Sequence, residues 1–199
     1  MLHYTTIEPT TLELLKNLQD IEFLSKTRLV GGTSLALQIG HRKSIDIDLF
    51  GEIDCEQYEL VDTLSDLGNL TILKESQNIH VYQLNGVKLD IVNYKYSWIK
   101  PAFIEDNFRL ASIEDIAAMK IAAIIGRGTK KDFIDLAFLL DTFSLSEILN
   151  FYEKKYPESS SFMAMKSITY FDDAERDPMP YMLKNKSWKE IKERILKEI

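Results

Sequence analysis

The chain has 199 residues, 45% of them hydrophobic and 11% aromatic, enough to bury a substantial core and few enough for one compact domain or two small ones. A formal charge of -7 argues against a surface coated in nucleic acid, and the single cysteine, Cys55, excludes an internal disulfide and a cysteine metal cluster. There is no run of about 18 uncharged apolar residues, and no basic stretch leads into an apolar one at the start, so a cytoplasmic protein outside the membrane is expected.

Leucines at 12, 14, 15, 18 and 24, with Ile21, predict a helix from Thr11 to about Ser25. Arg28-Leu29-Val30 reads as a strand, Ser34 to Ile39 as a short helix closed by Gly40, and residues 44–50 as a second strand. Glu56 to Leu67 reads as a helix stopped by Gly68. Residues 70–75, 79–84 and 87–94 then complete a mixed sheet, the last two joined through the hairpin signal Asn85-Gly86. Beyond that point the pattern turns helical: Ser112-x-x-Asp115, Thr129-x-x-Asp132 and Ser144-x-x-Glu147 each resemble a capping box. The expected fold class is therefore α/β (α+β), a small mixed sheet flanked by helices. A catalytic unit over 1–110 is followed by a helical unit over 111–199 that closes a cleft, with residues 95–111 as the hinge.

The chemistry concentrates around Gly31-Gly32-Thr33-Ser34 and Arg42-Lys43-Ser44-Ile45-Asp46-Ile47-Asp48. Side chains alternate along a strand, so Asp46 and Asp48 share one face about 6 to 7 Å apart, while Ile45, Ile47 and Leu49 turn into the core. Two carboxylates that close repel unless a cation neutralises them, and magnesium, a hard ion that binds few carboxylates plus substrate phosphates, suits them. A hairpin at Asn85-Gly86 sets Asp90 opposite Val81 and His80 opposite Ile91, which turns Asp90 away from the core and packs His80 on the other face. Asp46, Asp48 and Asp90 together form the carboxylate set of a two-metal phosphoryl-transfer site.

Each neighbouring feature has a structural reading beside the functional one. Gly31 and Gly32 make a tight turn anywhere, or they bring backbone N–H groups close to phosphates, with the Thr33 and Ser34 hydroxyls as further donors. Arg42 is a surface arginine or a clamp on the β- or γ-phosphate, with Ser44 beside it. Lys120, set in an apolar helix, either snorkels out or charges a site, and Arg127 follows on nearly the same face. Asp132 completes a helix cap or belongs to the cleft, and Asp135 shares its face. The lone His41 near a loop, and Lys130 and Lys131, carry no decisive signal. Residues 183–199 hold six basic residues against three acids, either a solvated helix face or a contact for a phosphate backbone.

The ordered set Gly-Gly-Thr-Ser-Leu-Ala-Leu, Gly-His-Arg-x-Ser-x-Asp-Ile-Asp-Leu and Lys131-Asp132-Phe133-Ile134-Asp135-Leu136 resembles the AbiEii/AbiGii-type nucleotidyltransferase toxins, within the DNA polymerase β-like nucleotidyltransferase superfamily. Phe171-Asp172-Asp173-Ala174-Glu175 and Pro178-Met179-Pro180 fit the same likeness. The resemblance implies transfer of a nucleotide from a nucleoside triphosphate, with two magnesium ions on Asp46, Asp48 and Asp90. It implies Lys120 directed at the phosphates and Asp132 in the catalytic cleft. It also implies a tRNA end as an RNA acceptor and an antitoxin encoded nearby. A small-molecule or protein acceptor, and a non-catalytic scaffold or antitoxin, remain alternatives.

Overall fold

The computed structural model describes residues 1–199. Its strands are β1 (Thr27–Leu29), β2 (Ile47–Gly51), β3 (Leu70–Glu75), β4 (Ile79–Leu84), β5 (Val87–Asn93), β6 (Phe103–Glu105) and β7 (Phe108–Leu110). They form one mixed sheet in the order β3-β4-β5-β2-β1-β7-β6. The helices are α1 (Pro9–Asp20), α2 (Gly31–Ile39), α3 (Gln57–Asp66), α4 (Ile113–Gly126), α5 (Lys130–Leu139), α6 (Leu145–Lys155), α7 (Ser161–Ile168) and α8 (Trp188–Leu196).

Strand alternation decides which helices cover which face. Ile47, Leu49, Leu89 and Ile91 enter a core with Leu14, Leu15 and Leu18 of α1 and Leu60 and Leu64 of α3. A second core is built from α4 to α8 and takes Val30 and Leu35 from the sheet side. Asp48 and Asp90, at the alternate positions of β2 and β5, face away from the first core. The sheet therefore presents its carboxylates towards the helical bundle.

The hairpin of β4 and β5 has the anticipated register, Val81 against Asp90 and His80 against Ile91. Asn85 and Gly86 both take positive φ, the condition of a two-residue turn that matches strand twist. The parallel pairing of β2 with β5 adds a feature that periodicity cannot supply, because it sets Asp48 directly beside Asp90.

Four expectations of local structure need correction. Residues 95–111 are no bare hinge, because β6 and β7 form a hairpin within them and β7 pairs in parallel with β1 through Leu29 and Leu110. Helix α2 begins at Gly31, so the glycines are its first turn and not a loop before it. Ile45 lies outside β2 and is 57% exposed, since the strand alternation that would bury it starts only at Ile47. The Thr129 hydroxyl, moreover, caps no backbone group of α5 and is hydrogen-bonded to the Asp132 carboxylate, 2.7 Å away.

The connection from sheet to bundle is held by one carboxylate. Asp115, fully buried at the start of α4, accepts from the Ile99 and Lys100 amides, from Ser112 Oγ and from Lys155 Nζ on α6, at 2.9, 3.2, 2.8 and 2.7 Å. Lys155 is equally buried, its ammonium 4.3 Å from the Trp98 ring centroid. Removing one partner of a buried pair leaves the other charge without compensation. Asp115→Ala should therefore cost about 3–5 kcal/mol in urea denaturation. A loss below about 1 kcal/mol would mean that Lys155 finds water or another partner.

Candidate active site

A cleft of about 390 Å³ opens between the sheet and the bundle, lined by Gly32, Arg42, Ser44, Asp46, Asp48, Lys88, Asp90, Lys120, Arg127, Thr129, Lys131, Asp132, Asp177 and Pro178. Five lining side chains are cationic and five are carboxylates, and none is hydrophobic. A larger cavity of about 730 Å³ lies elsewhere, beside Phe23, Cys55 and Glu59. It has no basic cluster beyond Lys26, which is paired with Glu52, so the cleft is the better candidate despite its smaller volume.

The sheet supplies the acids. Asp48 is half-buried, and its carboxyl is pushed up to about 6 by desolvation and then by the charges of Asp90 and Asp46, against Lys88 and Lys120. Asp90 accepts from Lys88 Nζ on both oxygens, at 2.7 and 2.8 Å. No three acidic or imidazole groups converge into a preformed ligand set. The carboxylates nevertheless suit a divalent cation, because adjacent parallel strands hold two of them side by side and their mutual repulsion already raises Asp48. Lys88 is half-exposed and long, so a rotamer change is enough to release Asp90.

The loop after α2, helix α4 and the residue that follows it supply the cations, Arg42, Lys120 and Arg127, tied to two fully buried aspartates of α5. Asp135 accepts from Arg42 Nε and one terminal guanidinium nitrogen at 2.7 and 2.9 Å, and lies 2.7 Å from His41 Nε2 and 2.6 Å from Lys120 Nζ. Asp132 accepts from Lys120 at 3.1 Å, from Arg127 at 2.9 and 3.1 Å, and from Thr129. Burial opposes ionisation of both acids, but these partners win. Asp132 is brought down to about 2 by Lys120, Arg127 and Thr129, and Asp135 is held well below the carboxylate range by Arg42 and Lys120. Burial pushes the His41 imidazole down against the pull of Asp135, so it stays neutral and donates through Nε2. Three cations, Arg42, Lys120 and Arg127, thus share two carboxylates, and one positive charge is left facing the cleft.

The glycine pair serves these side chains directly. A Cβ on Gly31, which has φ +68°, would overlap Asp48 Oδ2, and one on Gly32 would overlap the Arg42 guanidinium. The first turn of α2 is thereby packed between the carboxylate and the guanidinium. Thr33 and Ser34 do not reach the cleft. The buried Thr33 hydroxyl is bound to Ser44 Oγ at 2.9 Å and to the Asp46 carbonyl, and Ser34 Oγ accepts from Gln38 within the helix. Both expectations of a phosphate-donating hydroxyl are corrected, since an oxygen committed beneath the turn cannot also face a ligand.

Asp135 lies under the cleft and not in its wall, and it ties three candidate side chains together. Its signals in the sequence were the three-residue spacing from Asp132, which any helix face can show, and its place in the likeness motif Lys131–Leu136, and neither marks a hub. Lys88 and Asp177 carried no signal of their own, although Pro178-Met179-Pro180 beside Asp177 belonged to the family likeness. The Lys43 amide donates to the Tyr181 carbonyl, and the Leu183 and Lys184 amides donate to the His41 carbonyl, so this late strap fastens the loop that carries Arg42 and Ser44. Asp177 Oδ2 accepts from the Lys130 amide at 2.9 Å and fixes the other end of the strap. The basic tail is largely paired with the protein itself, Lys186 and Arg194 with Asp141 and Lys192 with Glu175. Buried Ile191 and Ile195 hold α8 to the bundle.

A mixed sheet with a glycine-started helix, paired strand acids and a facing cationic cluster defines a nucleotidyltransferase. The sequence matches the family described as "Nucleotidyl transferase AbiEii toxin, Type IV TA system" over residues 13–199, and the chain belongs to that family. The chain is 31% identical over 191 residues to the uncharacterized protein aq_aa25 of Aquifex aeolicus (strain VF5), covering 91% of this chain and 90% of the other. Its fold is similar to that of JHP933 from Helicobacter pylori, with TM-score 0.58, 21% identity and 95% and 90% of the two chains covered. It is also similar to a candidate nucleotidyltransferase from the same organism, with TM-score 0.59, 20% identity and 94% and 88% covered. Nucleotidyltransferases of this kind use a nucleoside triphosphate and a divalent metal, and the toxin family is one half of a toxin–antitoxin system. No helix is long and apolar enough to cross a membrane.

The depressed acid group of Asp132 predicts a pH dependence with a definite sign. Its folded-state value lies below the unfolded one near 3.9, so its contribution is complete above that value and is lost as pH falls through about 2. The stability gap between the wild type and Asp132→Asn should therefore narrow by about 2 kcal/mol between pH 4 and pH 2 in urea titrations. A gap constant across that window would place the Asp132 charge outside the network.

Proposed function

We propose that the cleft transfers a nucleotide from a nucleoside triphosphate to a hydroxyl of an RNA acceptor, with magnesium, as the toxin of its pair. The observation that carries this reading is the parallel pairing of Asp48 with Asp90 on the face opposite Arg42, Lys120 and Arg127. Asp46, Asp48 and Asp90 would hold the metal, two ions in the fullest form, which would polarise the α-phosphate and neutralise the charge that develops there. Arg42 and Lys120 hold the β- and γ-phosphates, with Ser44 and the Gly32 backbone beside them. Their orientation is fixed from below by Asp135, and no reorganisation is needed when charge moves to the leaving group.

The acceptor oxygen bonds to the α-phosphorus as the bond from that phosphorus to the bridging oxygen breaks, and pyrophosphate departs with its charge against Arg42 and Lys120. The hydroxyl proton passes to Asp90, whose side chain is 22% exposed and reachable from the open side once Lys88 has moved. The sheet carries Asp48 and Asp90, the loop after α2 carries Arg42, and the bundle carries Lys120 and Arg127, so the units over 1–110 and 111–199 are proposed to act as the two walls of the site.

Asp46→Ala or Asp48→Ala should lower incorporation of labelled nucleotide into total RNA by at least about a hundredfold, with an unchanged or raised melting temperature because repulsion is relieved. Full transfer by both variants would remove the metal assignment. Chelation should likewise stop the wild-type reaction, and added magnesium should restore it.

Toxicity gives an independent check in cells. Wild-type expression without its antitoxin should arrest growth of a bacterial host, and Asp48→Ala at equal abundance should leave growth normal. Arrest by both would separate toxicity from this chemistry.

A further inference from the structure

A second compartment adjoins the cleft and shares a wall with it. It occupies about 510 Å³ between the end of α4 and α7, lined by Ile124, Ile125, Arg127, Met163, Lys166 and Tyr170, among others, with Asp173 as its one acid. Arg127 lines both compartments. Its Nε and one terminal nitrogen are spent on Asp132, the other terminal nitrogen makes no hydrogen bond, and the side chain is 64% exposed. Met163 and Tyr170 are 46% and 53% exposed, with no aromatic partner for the Tyr170 ring, and Lys166 is exposed beside them.

Building on the nucleotidyl-transfer reading, we propose that this second compartment is the acceptor subsite and takes the terminal nucleotide of a single-stranded polynucleotide. Both compartments fall within the size range of small-ligand sites, and each is large enough for one nucleotide. A strand-extending reaction needs two such compartments with a cation at their junction. There the donor's α-phosphate and the acceptor's last phosphate approach one another and repel. Arg127 stands at that junction, with its Asp132 pair fixing the guanidinium plane. Apolar and aromatic side chains at Ile125, Met163 and Tyr170 give a nucleobase a surface to stack on, and exposed Lys166 in the same lining supplies a charge for the adjoining phosphate. This pattern, one base surface with two cations in its lining, matches a strand better than a compact neutral molecule, which has no use for the second cation.

The experiment measures two affinities on the full chain. A short fluorescein-labelled single-stranded oligoribonucleotide is titrated by anisotropy without triphosphate, and each nucleoside triphosphate is titrated by calorimetry with magnesium. Tyr170→Ala, Lys166→Glu and the plugging variant Thr169→Trp all alter exposed positions, and unchanged melting curves establish their folding. Each should weaken the oligonucleotide by about tenfold while leaving triphosphate affinity unchanged. For Lys166→Glu the loss should shrink as salt rises. Unchanged oligonucleotide affinity in all three variants overturns the proposal, as does a wild type that binds no oligonucleotide. An equal weakening of the triphosphate overturns it too, because the compartment then belongs to the donor. A wild type that binds oligonucleotide but no triphosphate would sink the nucleotidyl-transfer reading alone, since the oligonucleotide arm is read without triphosphate.

Discussion

The site depends on one buried carboxylate. Asp135 has no exposure to water, yet it meets His41, Arg42 and Lys120 within 2.9 Å, and these come from the loop after α2 and from α4. Ionising a carboxylate in such a place is costly unless several cationic or N–H partners repay the desolvation. Those partners must then be present together, which fixes the loop, α4 and α5 relative to one another. A structural demand and a functional one coincide here. The charges that make Asp135 tolerable are the charges a triphosphate would require, and one of them remains uncancelled.

The glycine pair shows the same economy from the other wall. Phosphate approach is the familiar reason for glycines at a helix start. Here the missing side chains also make room for Asp48 and Arg42, so two residues of opposite charge pack against one helical turn. A larger residue at either position would displace a charged group of the cleft even before a ligand arrived. The strap around residues 177–184 adds a constraint of longer range, because its backbone bonds to His41 and Lys43 hold the loop on which Arg42 rides.

Much of this was readable from the chain. The alternation in Ile47-Asp48-Leu49 and Leu89-Asp90-Ile91, together with Asn85-Gly86, fixed the direction of the acids and the register of β4 against β5, because both follow from local geometry. The pairing of β2 with β5 was not legible, since it joins segments about 40 residues apart and nothing local marks it. The β6–β7 hairpin was missed for a related reason: three-residue strands around Asp106-Asn107 are too short to show a period, and their turn residues take positive φ without glycine. Asp135 was legible as a helix-face residue but not as a hub. A hub is defined by partners drawn from distant parts of the sequence.

Charge balance orders events at the site. With five cations and five carboxylates in its lining, the cleft by itself is close to neutral, and Lys88 is folded onto Asp90. A triphosphate of charge near −4 would gain little from such a lining as a whole and would be repelled by the acids of β2 and β5. On the proposed reading, divalent ions would change that sign at the sheet wall. Held by Asp46, Asp48 and Asp90, they would displace Lys88 from Asp90 and leave its ammonium free for the incoming phosphates, so the lining would become cationic on both sides. The metal and the triphosphate would then bind in positive linkage, each raising the affinity for the other by the same factor. On that reading a near-neutral resting cleft would disfavour stray anions without metal, and the same residues would become a phosphate site once it is bound.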